Sequence, residues 1–310
     1  MFNTILTSLL PIAIILLLGY FAGYRQDFSK DQASVLNKMV MIYALPLSLF
    51  SGIITTSISE IIEQKDLLLG LFIGMVLFYL IVYVIMKYLF KQDDKLSALV
   101  ALAITGPAIP FVGVPVLGNL YGSISSIPIS IGSLYMNLFQ VPLTIIILNK
   151  GGQGTQNNLS SFKDNIISTL KQPIVWAPIL GLVFVLLKIK LPVALLDSFN
   201  LLGKATGGVA LFASGIILYS YKVVFDKTIA SIVFAKNLVI PFLIWGIAIL
   251  LDFPKDILKE TVLTMSIPTA SIAIILSIEY GEGQREISST LFFSSILSIL
   301  TMGLFMYLLT

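Results

Sequence analysis

Ten times along this 310-residue chain, about twenty mostly apolar residues follow one another with few charges among them. A helix that crosses the hydrocarbon core of a bilayer needs about that many. The stretches lie at about 4–24, 34–54, 67–90, 96–121, 127–149, 171–189, 195–219, 228–250, 257–280 and 287–309. Composition agrees. Hydrophobic residues make up 57% of the chain and charged ones 11%, and the mean hydropathy is +0.99. A soluble domain with a polar exterior does not have that balance. The first stretch is too long for a signal-peptide core and its leading "MFNT" carries no basic side chain, so a retained span is expected there.

The longest polar interruption, "NKGGQGTQNNLSSFKDN" at 149–165, is rich in Gly, Asn, Gln and Ser and reads as a flexible linker. It follows the fifth stretch. The expected organisation is therefore a first five-helix unit over 1–149, a linker over 150–169, and a second unit over 170–310. Orientation follows from the basic residues of the loops. Arg25, Lys30, Lys87, Lys91, Lys95, Lys150, Lys163, Lys171, Lys222, Lys227 and Arg285 fall on one side, eleven in all. Lys65, Lys188, Lys190, Lys255 and Lys259 fall on the other. The richer side is expected to be cytoplasmic, with both termini outside.

Five is odd, so a second copy of the first unit would sit upside down in the membrane. Traces of a repeat are visible. "PLSLFSGII" (46–54) matches "GVALFASGII" (208–217) with one insertion, at a shift of about 162 residues. That shift also brings Gly19 onto Gly181 and Pro107 close to Pro268. The two prolines occupy the fourth and ninth stretches. "GPAIPFVGVP" (106–115) packs three prolines and two glycines into one apolar run, and Pro268 stands near mid-span with Ser266, Thr269 and Ser271 around it. Proline removes a helix hydrogen bond and clashes with the preceding turn, at about 3 kcal/mol. Pro11, Pro142 and Pro241 are expected to kink their spans only. The cluster at 106–115 predicts a break, and Pro268 either a break or a kink. Interrupted backbone is tolerated at membrane depth where it lines a cavity or is buried in protein. A half-helix that starts at a break presents unpaired N–H groups and a positive dipole end, a ready anion site. Paired interruptions in two inverted halves are the pattern of a secondary transporter.

The chain has no cysteine and no histidine, which excludes disulfides, the common zinc sites, haem ligation through those residues, and Ser-His or Cys-His catalysis. No cofactor is called for, no enzyme is expected, and the scattered lysines of a net charge of +3 leave no nucleic-acid footprint. Within the spans, Lys204 and Lys236 are ionisable groups, functional candidates by default; snorkelling or a structural anchor would explain them equally. Asn137, Gln140 and Thr144 share one helical face, which either packs against another helix or lines the substrate cavity. Glu279 and Glu282 are expected to be solvated.

With these segments placed, the chain resembles the auxin efflux carrier family of transporters, whose bacterial members are associated with malate, malonate and similar carboxylates. "GYFAGYRQDFSKDQASVLNKMVMIYALPLSLFSGI" (19–53) resembles the first two spans of the family, "FVGVPVLGNLYG" (111–122) the fourth, and "SIPTASIAIILSIEYG" (266–281) the ninth. "LPVALLDSFNLLGKATGGVALFASGIIL" (191–218) and "AKNLVIPFL" (235–243) are similar to the seventh and eighth. The resemblance covers nearly the whole chain. It implies an all-α polytopic membrane protein of ten transmembrane helices, two inverted five-helix repeats, a scaffold and a mobile transport domain. Spans four and nine would cross as broken helices. Two positions depart from the family: Ala108 stands where many members carry asparagine before the crossover proline, and Gly208 where a proline is common in span seven.

The expected function is a permease for a small organic anion, a mono- or dicarboxylate such as malate or malonate, in the cytoplasmic membrane; a sensor, a scaffold or a channel is the alternative. Its partners would be the anion and the lipid bilayer, with homodimerisation open. The carboxylate is expected near Thr269, Ser271 and the backbone of Gly106, Pro107, Ala108 and Pro110. Thr105, Asn137, Gln140, Ser266 and Pro268 would line or shape the site, and Lys204 or Lys236 would add positive potential.

Overall fold

The computed structural model describes residues 2–55, 64–113, 116–117, 126–149, 171–221 and 224–309. The linker expected at 150–169 lies outside them. Regular structure among the described residues is helical, apart from a single extended pairing of Pro107 with Thr269. The helices are α1 (Phe2–Tyr24), α2 (Lys30–Ile54), α3 (Lys65–Leu89), α4 (Asp94–Thr105), α5 (Ile127–Leu148), α6 (Pro173–Leu186), α7 (Val193–Tyr221), α8 (Lys227–Leu250), α9 (Lys255–Ser266), α10 (Ser271–Tyr280) and α11 (Gln284–Leu308).

Six of these, α2, α3, α5, α7, α8 and α11, are long and apolar enough to cross a membrane. Shorter apolar helices occupy Ile14–Tyr24, Pro173–Leu186 and Ser271–Tyr280. The expected fourth and ninth spans are interrupted where the prolines stand. Leu201 on α7 and Leu250 on α8 are 77% and 82% exposed, a cost in water that becomes a gain against lipid. The chain is a multi-pass membrane protein.

Helix starts are set by short polar side chains. Ser29 and Gln32 form a reciprocal capping box at α2, the Ser29 Oγ accepting from Gln32 N at 3.3 Å and Gln32 Oε1 from Ser29 N at 2.8 Å. Asp93 accepts from Leu96 N at 2.8 Å and Asp226 from Ile229 N at 2.9 Å, capping α4 and α8. Nearby, Lys95 pairs with Glu282 at 2.9 Å and Arg285 with Asp226 at 3.2 Å.

Three prolines that sit inside helices are each preceded by one widened turn. Val40–Ala44 comes before Pro46, Met136–Gln140 before Pro142 and Ala235–Val239 before Pro241. In each turn an N–H reaches the carbonyl five residues back: Leu45 to Val40, Val141 to Met136, and Ile240 to Ala235. The widening moves the preceding carbonyls off the proline ring, so the helix continues through it. The turns also carry polar side chains inward: Asn137, Gln140, Lys236 and Asn237 are all buried.

Helices α1, α2, α6 and α7 pack on one another, while α3, α4, α5, α8 and α9 form a second cluster, and α11 packs against both. The first cluster closes tightly because α1 and α7 meet at glycines. A Cβ on Gly19 would overlap the carbonyl oxygen of Phe212, and one on Gly215 that of Leu16. Small residues that let helix backbones approach are the usual cement of membrane helices.

Candidate functional site at the crossing of two broken helices

Helix α4 ends at Thr105, and Gly106 turns into extended backbone at φ −92°, ψ 104°. Helix α9 ends at Ser266, and the chain stays extended through Ile267 and Ala270 (φ −68°, ψ 137°) before α10 begins. The two extended pieces cross and exchange hydrogen bonds. Ala108 N donates to Pro268 O at 2.9 Å, and Ala270 N to Gly106 O at 2.9 Å. This satisfies backbone that would otherwise be orphaned far from water. Gly106 has no room for a side chain, since its Cβ would lie 2.7 Å from Leu102 O.

Side chains reinforce the crossing from behind. Thr269 Oγ1 donates to Ala103 O at 2.9 Å, tying the second break to the end of α4. Thr105 Oγ1 donates to Ala101 O at 2.7 Å and accepts from Gln140 Nε2 at 3.0 Å. Gln140 Nε2 also reaches Met75 O at 2.7 Å, and Thr144 donates to Gln140 O at 2.7 Å. Of the polar stripe on α5, Gln140 and Thr144 are thus taken up by packing. Ser266 Oγ donates to Leu263 O at 2.8 Å within its own turn.

In front of the crossing is a cavity of about 50 Å³ between the two helix clusters. Ser48 of α2 and Thr206 of α7 line one wall; Ala108, Ser133, Asn137 and Ser271 line the other. Among the described residues the walls hold no Asp, Glu, Lys or Arg. Helix α10 opens onto it with Ala270, Ser271 and Ile272, and no side chain caps that helix end. The Thr206 hydroxyl is buried there with no hydrogen-bond partner among the described residues. Amide, hydroxyls and a bare helix N-terminus together make a neutral site with positive potential, suited to an anion.

The residues expected at the site therefore divide. Ala108, Asn137 and Ser271 face the cavity; Gly106, Pro107, Pro268 and Thr269 form the crossing; Thr105, Gln140 and Ser266 hold it from behind or within a turn. Pro110 lies in the helical turn Ile109–Gly113 just beyond. The two lysines are not in the cavity wall. Lys204 is exposed on α7. Lys236 is wholly buried on α8, its Nζ donating to Met265 O at 3.3 Å. Of the two expected helix N-termini, α10 is a ten-residue helix; the turn after the first break is described over Ile109–Gly113. Ser48, Ser133 and Thr206 were not singled out by sequence, because an isolated hydroxyl in an apolar helix carries no local signal. Asn237 and Ser294 were missed likewise, although Asn237 adjoins Lys236.

A family model described as membrane transport protein matches residues 4–306. The chain belongs to that family. Members of the membrane transport protein family are transporters rather than enzymes, and the resemblance to auxin efflux carriers holds across the chain. The transporter YfdV of Escherichia coli (strain K12) is 35% identical over 306 residues, covering 97% of this chain and 96% of that protein. A protein of Rhizobium meliloti (strain 1021) named "Putative malonate transporter" is 22% identical over 302 residues, covering 96% and 94%. Auxin efflux carrier component 5 of Arabidopsis thaliana is 20% identical over 339 residues, covering 95% and 93%.

Proposed function

We propose that this membrane transport protein carries a small organic anion, a mono- or dicarboxylate of the size of malonate or malate, across the cytoplasmic membrane by alternating access. The carboxylate would sit at the N-terminus of α10, with Ser271, Asn137 and Thr206 as donors. The observation that carries this reading is the uncharged, donor-lined cavity onto which the uncapped α10 opens. Its position supports alternating access: the walls come from different helix clusters, so sliding one cluster against the other would open the cavity to one side or the other. The malonate name of the Rhizobium meliloti relative agrees with the charge of the site.

We further infer that the two halves are inverted repeats of five spans each, with both termini outside. The crossing supports this. Gly106 and Pro268 stand 162 residues apart, as do Ala108 and Ala270, so the two hydrogen bonds are exchanged about a local two-fold axis. The same spacing relates Gly19 to Gly181 and Phe212 to Phe50. A Cβ on Gly181 would lie 3.1 Å from Phe50 O, repeating between α6 and α2 the close approach of α1 to α7.

The test is counterflow in proteoliposomes preloaded with unlabelled malonate or malate. Saturable accumulation of labelled substrate against its gradient is expected. Dissipative flux without counterflow would mark a channel, and no interaction with any carboxylate in a thermal-shift screen would refute the anion reading.

A further inference from the structure

The two broken helices end in equivalent ways but are not closed in equivalent ways. An α-helix leaves its last four carbonyls without intrahelical partners. At the end of α4, Leu102 O accepts from Gly106 N (2.8 Å) and Ala103 O from Thr269 Oγ1 (2.9 Å). Both donors are neutral. At the end of α9, Leu263 O accepts from Ser266 Oγ (2.8 Å) and Thr264 O from Ile267 N (3.4 Å). Met265 O, which stands 162 residues after Ala103, accepts instead from Lys236 Nζ (3.3 Å). A threonine hydroxyl in one half is replaced by a lysine amine in the other.

The surroundings of that amine are built around it. Lys236 has no exposure and sits in the widened turn Ala235–Val239. No acidic side chain pairs with it among the described residues. Its neighbour Asn237 accepts from Ser294 Oγ at 2.7 Å and donates to Ser294 O at 2.9 Å. Ser294 Oγ in turn accepts from Thr269 N at 3.2 Å. Residues 236 and 237 thus hold the chain on both sides of Pro268, at Met265 and at Thr269. The position 162 residues before Lys236 is Gly74, where a Cβ would lie 3.0 Å from Met265 Sδ, so the first half carries no matching side chain and one added there would press on Met265.

In broken-helix transporters the negative, carbonyl-bearing end of a half-helix is where a coupling cation is coordinated. We propose that Lys236 is a resident cation for this site: its side-chain ammonium holds the carbonyl end of α9 in the place of a dissolved metal ion, so that the protein needs no sodium to form its binding-competent state. The inference goes beyond the carboxylate reading and does not depend on which anion is carried. Only its transport arm rests on that reading.

The test compares sodium with choline at equal ionic strength, and adds alkylammonium probes to Lys236→Ala. The thermal midpoint of the purified parent protein is expected to be the same in sodium and in choline. Lys236→Ala should melt lower and recover by about 3 °C with propylammonium, which replaces the lost carbons and nitrogen. Tetramethylammonium, which has no N–H, should give no recovery. Malonate counterflow by the parent should be equal in the two salts. A sodium-specific rise of about 3 °C or more in the parent would overturn the proposal, and so would a Lys236→Met variant as stable as the parent. If Lys236→Ala does not accumulate, the parent's response to sodium decides alone. Absence of malonate counterflow in both salts would count against the anion reading and leave the melting comparison valid.

Discussion

Gly19 and Phe212 are in backbone contact: no side chain, however small, fits between the α1 glycine and the α7 carbonyl. Gly215 makes the reciprocal approach to Leu16. Helices α1 and α7 therefore meet along their main chains.

Gly19→Ala and Gly215→Ala should accordingly force the helices apart. Overpacking costs about 1–3 kcal/mol, so each variant should melt several degrees below the parent in detergent. Gly246→Ala is the control, because a Cβ there meets nothing within 4 Å. Its midpoint should stay level or rise, since alanine favours the helix. Equal midpoints for all three would show that the contact is not a determinant of stability.

Pro268→Ala restores an N–H and removes the ring that keeps α9 and α10 apart. A continuous helix would withdraw Pro268 O from Ala108 N and Ala270 N from Gly106 O, each bond being worth about 0.5–1.5 kcal/mol. Counterflow should fall at least tenfold while the protein still inserts and purifies. Full activity would mean that the proline does not set the break.

Thr206→Val separates binding from stability. The hydroxyl is buried without a partner among the described residues, so the isosteric apolar side chain should leave the melting midpoint unchanged or raised. A direct hydrogen bond to a charged ligand contributes about 1.5–3 kcal/mol, so malonate affinity should weaken about ten- to a hundredfold. Asn137→Leu should do the same. Lys204→Gln, on an exposed residue away from the cavity, should change affinity by less than about twofold. A larger loss at Lys204 than at Thr206 would move the site.

Topology is tested with single cysteines, for which the parent has no background because it contains none. By the eleven-to-five bias of basic residues, a cysteine at Gln26 should be labelled from the cytoplasm and one at Lys190 from outside. Both positions are exposed. Labelling of both from one side would refute the orientation and the span count together.

The first break was legible in the sequence because proline and glycine act locally and residues 106–110 cluster them; Pro268, a lone proline, left break and kink open until α9 and α10 were seen to part around it. The membrane class was legible from apolar run lengths for a similar reason. The cavity was not. Its donors are spread over four helices, Ser48 on α2, Ser133 and Asn137 on α5, Thr206 on α7 and Ser271 on α10, and only tertiary packing brings them to one place. Lys204 and Lys236 show a different limit. Charge inside an apolar run announces that a residue matters, but not which way it faces: one lysine turns outward and the other caps a carbonyl. The polar stripe on α5 split because a widened turn at Met136–Gln140 alters the helical spacing on which a shared face depends.

The crossing itself is joined by main-chain atoms, Ala108 N to Pro268 O and Ala270 N to Gly106 O. Its joinery is thus indifferent to most side chains, and mutation can explore the positions around it without dismantling the frame. Alanine can stand at 108, where many auxin efflux carriers have asparagine, and the helices still cross. Such a scaffold is permissive to drift: the residues around the crossing can change while its two main-chain bonds persist.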